Sequence, residues 1–230
     1  MKVLLLVDIQ NDFCPGGALA VPDGDQVVPV ANALLRSGNY DLAIATADCH
    51  PANHVSFADN HAGRAVFEQI DLASGTQTLW PRHCVQGTTG AELHPELRVE
   101  KLVYIVEKGT DAAIDSYSGF FDNGQQRETR LRSILEQEAC QRGLTLADIE
   151  LTVCGLALDY CVAATVRDAV RLGIHTELVV DACRSVNLTP GDDVRALKEL
   201  AGLGVVITES REVLPVLSSR PLRREVQLVP

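Results

Sequence analysis

Two cysteines, Cys154 and Cys161, lie seven residues apart in LTVCGLALDYCVAATVRDAV, where a strand-like pattern gives way to a helix-like one. Cys154 lies between Val153 and Gly155 in the apolar run, which is typical of a small buried core residue. Cys161 follows the turn GLALD, at the predicted first turn of a helix, where unpaired backbone N–H groups and the helix dipole favour an anion. Each cysteine by itself fits either a reactive thiol or a buried apolar residue, and Cys161 is the better candidate nucleophile.

Two ionisable residues follow other predicted strands. Asp8 follows VLLLV and Lys108 follows LVYIVE. Ligands of open parallel sheets bind outside the carboxyl ends of the strands, so we expect both residues beside Cys161. A thiol near a lysine can have its pKa lowered from about 8.5 to roughly 3.5–7.5, which makes the thiolate the working form near neutral pH.

Such a set suits acyl transfer. The cysteine attacks a carbonyl, while the carboxylate takes the thiol proton and can return it to a leaving amine. Backbone N–H groups between Gly155 and Cys161 could form an oxyanion hole. Taken alone, Asp8 could instead cap a turn and Lys108 could be a solvated charge at a strand end.

Histidines and a carboxylate cluster in the segments TADCHPANHVSF and LWPRHCVQG. Asp48, His50 and His83 form a set of imidazole and carboxylate ligands that suits Zn²⁺, Fe²⁺ or Mn²⁺, with His54 nearby. Three protein ligands leave positions open for water or substrate, as catalytic metal sites require. The spacing is not a unique signature, and any one of these histidines could be structural.

Two aromatic residues, Phe13 and Trp80, lie in the same segments as these candidate site residues. Ligand pockets are lined largely by apolar and aromatic side chains, so both residues could form walls for a flat substrate. Taken alone, each of the two could equally well be an ordinary core residue.

Short apolar runs alternate with amphipathic segments along the chain. The predicted strands are Lys2–Val7, Tyr40–Thr46, Lys101–Glu107, Ile149–Gly155, His175–Asp181 and Gly204–Thr208. The predicted helices are Gln26–Ser37, Glu128–Gly143, Asp159–Leu172 and Asp192–Leu203. Near-continuous apolar strands that alternate with helices predict a mostly parallel sheet covered on both faces.

Two segments break this alternation. Residues 50–100 are long and poor in periodic pattern, and a loop of that length in a compact domain is usually functional. The segment from Glu209 contains prolines and the run RPLRREV, which fits an edge strand, an interface arm or disorder. We therefore predict one domain over residues 1–208, with residues 209–230 as a tail of unassigned role that packs on or extends it.

The composition, with 46% hydrophobic and 22% charged residues, is that of a globular protein. A formal net charge of −11 argues against nucleic-acid binding, which needs a basic surface. No apolar run approaches the roughly 20 residues that cross a bilayer, and the short run ending at Val7 lacks a signal-peptide cleavage site. Seven scattered cysteines without a Cys-x-x-Cys pair argue against a disulfide framework. We expect a cytoplasmic protein that binds neither nucleic acid nor membrane.

Five ordered motifs resemble one known family. They are LLLVDIQNDFCPGGALAV, TADCHPANHVSFA, LWPRHCVQGTTGAELHPEL, EKGTDAAIDSYSGFFDN and GLALDYCVAATVRDA. Together they resemble the nicotinamidases, within the isochorismatase-like cysteine hydrolases, over residues 2–208. The resemblance implies a three-layer α/β/α fold with a six-stranded, mostly parallel sheet. It also implies hydrolysis of nicotinamide to nicotinate and ammonia through a cysteine thioester, a reaction of NAD salvage, with pyrazinamide also accepted.

The resemblance also implies roles for individual residues. Asp8 matches the catalytic base, Lys108 the lysine of the triad and Cys161 the nucleophile. The amides of Ala157 and Cys161 match the oxyanion hole, and a non-proline cis peptide beside Ala157 is a further family feature.

A second group of residues matches the metal and substrate positions of the family. Asp48, His50 and His83 match ligands of one divalent ion, with Zn²⁺ favoured over Fe²⁺ or Mn²⁺. His54 matches a further ligand that only some members use. Phe13 and Trp80 match positions that pack on the substrate ring.

Two positions depart from the family pattern: Leu158 stands where threonine is common, and Cys49 where an aromatic residue is common. Substrate tuning and one wall of the site can therefore differ. One alternative is a sister amidase acting on another small amide, such as a ureido or carbamoyl compound, and another is a catalytically silent metal-binding or dimerising scaffold. The histidine set disfavours the first, and the intact Asp8, Lys108 and Cys161 disfavour the second. We also expect a homo-oligomer.

Overall fold

The computed structural model describes residues 1–214. The strands are β1 (Lys2–Val7), β2 (Leu42–Asp48), β3 (Gln69–Leu72), β4 (Gly75–Thr78), β5 (Tyr104–Lys108), β6 (Glu150–Leu156), β7 (His175–Arg184) and β8 (Val206–Thr208). The helices are α1 (Val27–Arg36), α2 (Leu131–Cys140), α3 (Ala163–Arg171), α4 (Asp192–Gly202) and α5 (Ser210–Val213). Six strands form one sheet in the order β5-β2-β1-β6-β7-β8, and β3 and β4 form a separate hairpin.

All five strand pairings in the large sheet are parallel. Strand β1 lies at its centre, and residues 3–7 are completely buried, as expected for a strand covered on both faces. The connection from β1 to β2 runs across the sheet towards the β5 edge, whereas the connections from β6 to β7 and from β7 to β8 run towards the β8 edge. Since such crossovers are right-handed, α1 covers one face while α3 and α4 cover the other. The predicted fold of a six-stranded parallel sheet flanked by helices is confirmed.

The strand order changes direction between β1 and β6. Ligands of open parallel sheets bind at such a switch point, beyond the carboxyl ends of the strands. The residues that follow β1 and β6 are therefore the first place to look for a site.

Several element boundaries differ from the predicted ones. Strand β7 continues to Arg184, and α2 is shorter at both ends than the helix predicted over 128–143. The helix predicted from Asp159 is a π-helical turn over Leu158–Val162 that continues into α3. The hairpin of β3 and β4 was missed, because its short strands are mostly exposed or half-buried and give no apolar pattern.

The first residues of the predicted tail pack on the domain. The N–H of Ser210 donates to Asp181 Oδ1 at 2.8 Å, which ties the start of α5 to β7. Residues 215–230 lie outside the described residues, so the role and packing of the tail stay a prediction. None of the helices within residues 1–214 is both long and apolar enough to cross a membrane.

Candidate active site

The three candidate catalytic residues meet at the carboxyl end of the sheet. Asp8 follows β1, Lys108 ends β5 and Cys161 lies in the turn after β6. Lys108 Nζ lies 3.0 Å from Asp8 Oδ2 and 3.4 Å from Cys161 Sγ. All three residues are at most 6% exposed. The structure therefore brings together an acid, an amine and a thiol that lie far apart in the chain.

Asp8 is held in one orientation by its neighbours. Thr46 Oγ1 donates a hydrogen bond to Asp8 Oδ1 at 2.6 Å, while Oδ2 faces Lys108. The φ of Asp8 is +48°, an uncommon conformation for a residue other than glycine. Burial raises the pKa of Asp8 to about 6, against the opposing effect of Lys108. A carboxyl group with a pKa near neutrality suits a general base.

Lys108 is a fully buried cation. Its Nζ donates to Asp48 Oδ1 at 2.5 Å and to Ser116 O at 2.9 Å. Burial alone would lower the pKa of Lys108, but Asp48 and Asp8 outweigh burial and raise it well above its ordinary value. Burial alone would also raise the pKa of Asp48, yet Lys108 and His50 hold it well below its usual range. Near neutral pH this pair is therefore an ammonium and a carboxylate.

The surroundings of Cys161 favour the neutral thiol over the thiolate. Burial raises the pKa of Cys161 well above its ordinary value, and Lys108 lowers it without cancelling that effect. Asp8 and Asp48 raise it further. The direction is opposite to the lowered thiol pKa expected from the sequence, because two carboxylates and desolvation outweigh one lysine. A base must take the thiol proton during attack.

The turn that carries Cys161 starts with a cis peptide bond between Leu156 and Ala157. Ala157 O accepts hydrogen bonds from the N–H groups of Tyr160 and Val162, both at 3.1 Å. Ala157 and Cys161 both line the adjoining cavity. Their amides stay the predicted oxyanion donors.

Asp48, His50 and His83 offer ligand atoms that all lie within 4.8 Å of one another. Asp48 Oδ2 is 3.7 Å from His50 Nε2, and two tetrahedral zinc ligands with bonds of about 2.1 Å would be about 3.4 Å apart. His50 Nδ1 lies 2.8 Å from Gly109 O, and His83 Nδ1 lies 2.8 Å from Pro81 O. A carbonyl only accepts, so each Nδ1 carries the hydrogen and a neutral ring offers its Nε2 lone pair. These residues fit a divalent metal ion.

His54 lies beside this set. Its ring centroid is 4.2 Å from that of His50, and its Nε2 is buried without a hydrogen-bonding partner in the described chain. Burial lowers the pKa of His54 to about 4, so the ring is neutral. Its ligand atom groups with those of His50 and Asp115 rather than with Asp48 and His83. A ligand role for His54 stays a prediction.

Two residues that the sequence analysis missed position these ligands. Gln10 is completely buried; its Oε1 accepts from Asp48 N–H and its Nε2 donates to Asp48 O, both at 2.8 Å. Gly109 has a φ of +64°, and a Cβ there would lie 2.3 Å from His50 Cε1. The only sequence signal for Gln10 and Gly109 is that they lie close in the chain to Asp8 and Lys108, respectively.

A cavity extends from Cys161 to the metal-ligand set. Phe13 and Trp80 line it, together with five residues that sequence reasoning missed: Leu19, Asp115, Tyr117, Tyr160 and Val186. The Trp80 ring meets Tyr160 edge-on at 4.8 Å, and its Nε1 donates to Tyr117 OH at 3.0 Å. Walls of this kind suit a flat aromatic ligand. Within the described residues, neither Cys49 nor Leu158 lines the cavity.

Comparison with known proteins places these features in a family. The isochorismatase domain model matches residues 2–212. A nicotinamidase of Escherichia coli is 44% identical over 90% of this chain and 93% of its own length. The structure of an Acinetobacter baumanii nicotinamidase/pyrazinamidase is 42% identical, with a TM-score of 0.85 over 93% of this chain and 98% of that one. A pyrazinamidase of Pyrococcus horikoshii in complex with zinc is 36% identical, with a TM-score of 0.69 over 90% of this chain and 98% of that one. The chain therefore belongs to the isochorismatase domain family, among relatives that include nicotinamidases.

Proposed function

We propose that this chain is a nicotinamidase, which hydrolyses the carboxamide of nicotinamide to nicotinate and ammonia. The observation that carries the proposal is the position of Lys108, within 3.4 Å of both Asp8 Oδ2 and Cys161 Sγ, beside a cavity with aromatic walls. The 44% identity to a nicotinamidase supports nicotinamide as the substrate. Similarity to enzymes described as pyrazinamidases supports pyrazinamide as a second substrate.

The first half of the reaction forms a thioester. Asp8 takes the thiol proton as Cys161 Sγ attacks the carboxamide carbon, and the N–H groups of Ala157 and Cys161 stabilise the oxyanion. Asp8 then returns the proton to the amide nitrogen, the C–N bond breaks and ammonia leaves. Lys108 remains an ammonium throughout and stabilises the negative charge that passes between Asp8 and the sulfur.

The second half hydrolyses the thioester. Asp8, again ionised, takes a proton from a water molecule whose oxygen attacks the thioester carbon. The C–S bond breaks, Asp8 returns the proton to the sulfur, and nicotinic acid leaves and ionises to nicotinate. Asp8 therefore serves as base and acid in both halves, which requires a pKa close to the working pH.

We also propose that Asp48, His50 and His83 hold one divalent ion, with Zn²⁺ as the first candidate because a similar pyrazinamidase binds zinc. A bound ion would supply a positive charge that orients a ring nitrogen of the substrate. Asp48 presents Oδ1 to Lys108 and Oδ2 to His50, so one carboxylate supports both sets of residues.

The test is ammonia release from nicotinamide, pyrazinamide, benzamide and a set of ureido and carbamoyl compounds by the purified protein. We expect the highest kcat/KM for nicotinamide and a lower value for benzamide, which has the same shape but no ring nitrogen. Turnover of a carbamoyl compound without turnover of nicotinamide would favour a sister amidase. A metal-loaded protein that turns over none of them would favour a silent scaffold.

A further inference from the structure

Phe67 occupies a strained turn next to the wall of the cavity. Residues 65–68 form a four-residue turn in which Glu68 N–H donates to Ala65 O at 3.2 Å. Phe67 is the third residue of this turn, and its φ is +70°. A third position with positive φ favours glycine, and a bulky residue there is a genuine outlier. Strain of this kind persists only where the surrounding structure enforces it, and it clusters at functional sites, so the aromatic ring needs an explanation.

Burial in the core does not explain the ring, since Phe67 is 48% exposed. Its contact is with Trp80: the two rings meet edge-on, with centroids 6.0 Å apart and an interplanar angle of 81°. Trp80 itself is only 3% exposed and contacts Tyr160 and Tyr117, both of which line the cavity. Within residues 1–214, Phe67 does not line the cavity, so it contacts Trp80 from outside the cavity.

The backbone of this turn is tied to the segment that carries Trp80. Phe67 N–H donates to Leu79 O at 2.6 Å, and Leu79 N–H donates to Glu68 O at 2.8 Å. Trp80 N–H in turn donates to Ser56 O at 2.7 Å. The turn and the tryptophan therefore form one hydrogen-bonded unit, which fixes the Phe67 ring relative to the Trp80 ring.

We propose that Phe67 is a positioning residue for the aromatic wall of the site. It fixes the Trp80 ring in the orientation that receives the planar ring of the substrate. The substrate class rests on the proposed function, but the effect of Phe67 on Trp80 does not. Edge-to-face aromatic pairs contribute about 0.5–1.5 kcal/mol, which corresponds to a factor of about 2 to 13 in binding.

Fluorescence offers a direct test, because Trp80 is the only tryptophan in the chain. Phe67→Gly removes the ring and relieves the positive φ, Phe67→Leu keeps an apolar side chain, and Phe67→Tyr keeps the ring. Val66→Ala is the matched control, since Val66 is the neighbouring exposed apolar residue. For Phe67→Gly and Phe67→Leu we expect red-shifted Trp80 emission and stronger acrylamide quenching. In the Gly variant the unfolding midpoint should be unchanged or higher.

The KM for nicotinamide should change in the same variants as the Trp80 fluorescence. We expect the KM for nicotinamide to rise by about 2- to 13-fold in the Gly and Leu variants while kcat stays within about twofold, and Phe67→Tyr to behave like wild type. The fluorescence measurement needs no turnover and can be repeated in a Cys161→Ala background. The same change there supports the role of Phe67 in positioning Trp80, even if the proposed function fails. Unchanged emission and quenching in Phe67→Gly, equal changes in Val66→Ala, or an unchanged KM with a working enzyme would each overturn the proposal.

Discussion

Asp48 and Lys108 are register partners on the neighbouring strands β2 and β5, and their side chains meet where those strands end, with Nζ and Oδ1 2.5 Å apart. The second oxygen of Asp48 lies 3.7 Å from His50 Nε2. One buried carboxylate therefore joins the lysine that contacts Cys161 to the residues that fit a metal ion. Removing either charge leaves other buried charges uncompensated.

Replacement of Lys108 by methionine should damage both folding and activity. The change leaves Asp8 and Asp48 buried without their ammonium, and breaking a buried pair in this way costs about 3–5 kcal/mol. Denaturant unfolding measures the loss, with Lys101→Met as the control because Lys101 is exposed and lies seven residues earlier in the chain. A Lys108→Met variant with the unfolding free energy of wild type would contradict the proposed ion cluster.

The pH dependence of kcat/KM should show a lower limb at about pH 6. Burial raises the pKa of Asp8 to about 6, and Asp8 must be ionised to take the thiol proton. Activity should therefore be full above that pKa and fall about tenfold for each pH unit below it. Asp8→Asn should abolish hydrolysis at every pH. A rate that stays flat down to pH 4.5 in folded enzyme would exclude Asp8 as the base.

The metal set predicts that the active protein binds about one divalent ion per chain. Chelation should abolish nicotinamide hydrolysis, and Zn²⁺, Fe²⁺ or Mn²⁺ should restore it to different extents. His83→Ala should lower the metal content measured by mass spectrometry. His94→Ala should not, because His94 is absent from the candidate ligand groups of the described chain. Equal metal content in both variants would remove His83 from the site.

Gln10→Leu tests the residue that holds the backbone of Asp48. The change leaves the buried N–H and C=O of Asp48 without hydrogen-bonding partners. Each unpaired group should lower the free energy of unfolding by about 1–3 kcal/mol. Residues that support ligands typically contribute 10- to 100-fold in metal affinity, so metal binding should weaken by about that factor. Gln86→Leu is the control, since Gln86 donates to the adjacent Cys49 O but is exposed. An unaltered metal affinity in Gln10→Leu would refute this supporting role.

The parts of the site that follow strands could be predicted from the sequence. Continuous apolar runs mark buried parallel strands, and Asp8, Lys108 and Cys161 follow or end such runs. The rule that ligands bind at the carboxyl ends of strands then places them together. The same reasoning separated Cys154, which is completely buried within β6, from Cys161.

The walls of the cavity could not be predicted in this way. Tyr117 and Val186 lie in irregular segments, where periodicity carries no signal and tertiary contacts decide the position of each side chain. The direction of the pKa shift of Cys161 could not be predicted either, because it depends on how many charges surround the sulfur and on how deeply the sulfur is buried. Homo-oligomerisation and a cytoplasmic location stay predictions.

Ammonia release from nicotinamide by wild type, Cys161→Ala and the matched control Cys154→Ala tests the role of Cys161 as the nucleophile. Alanine has no sulfur to form the thioester, so kcat should fall by about 10⁴-fold or more in Cys161→Ala. Cys154→Ala should retain kcat within a few-fold, because its sulfur only packs in the core. Equal rates for wild type and Cys161→Ala would contradict the thioester mechanism.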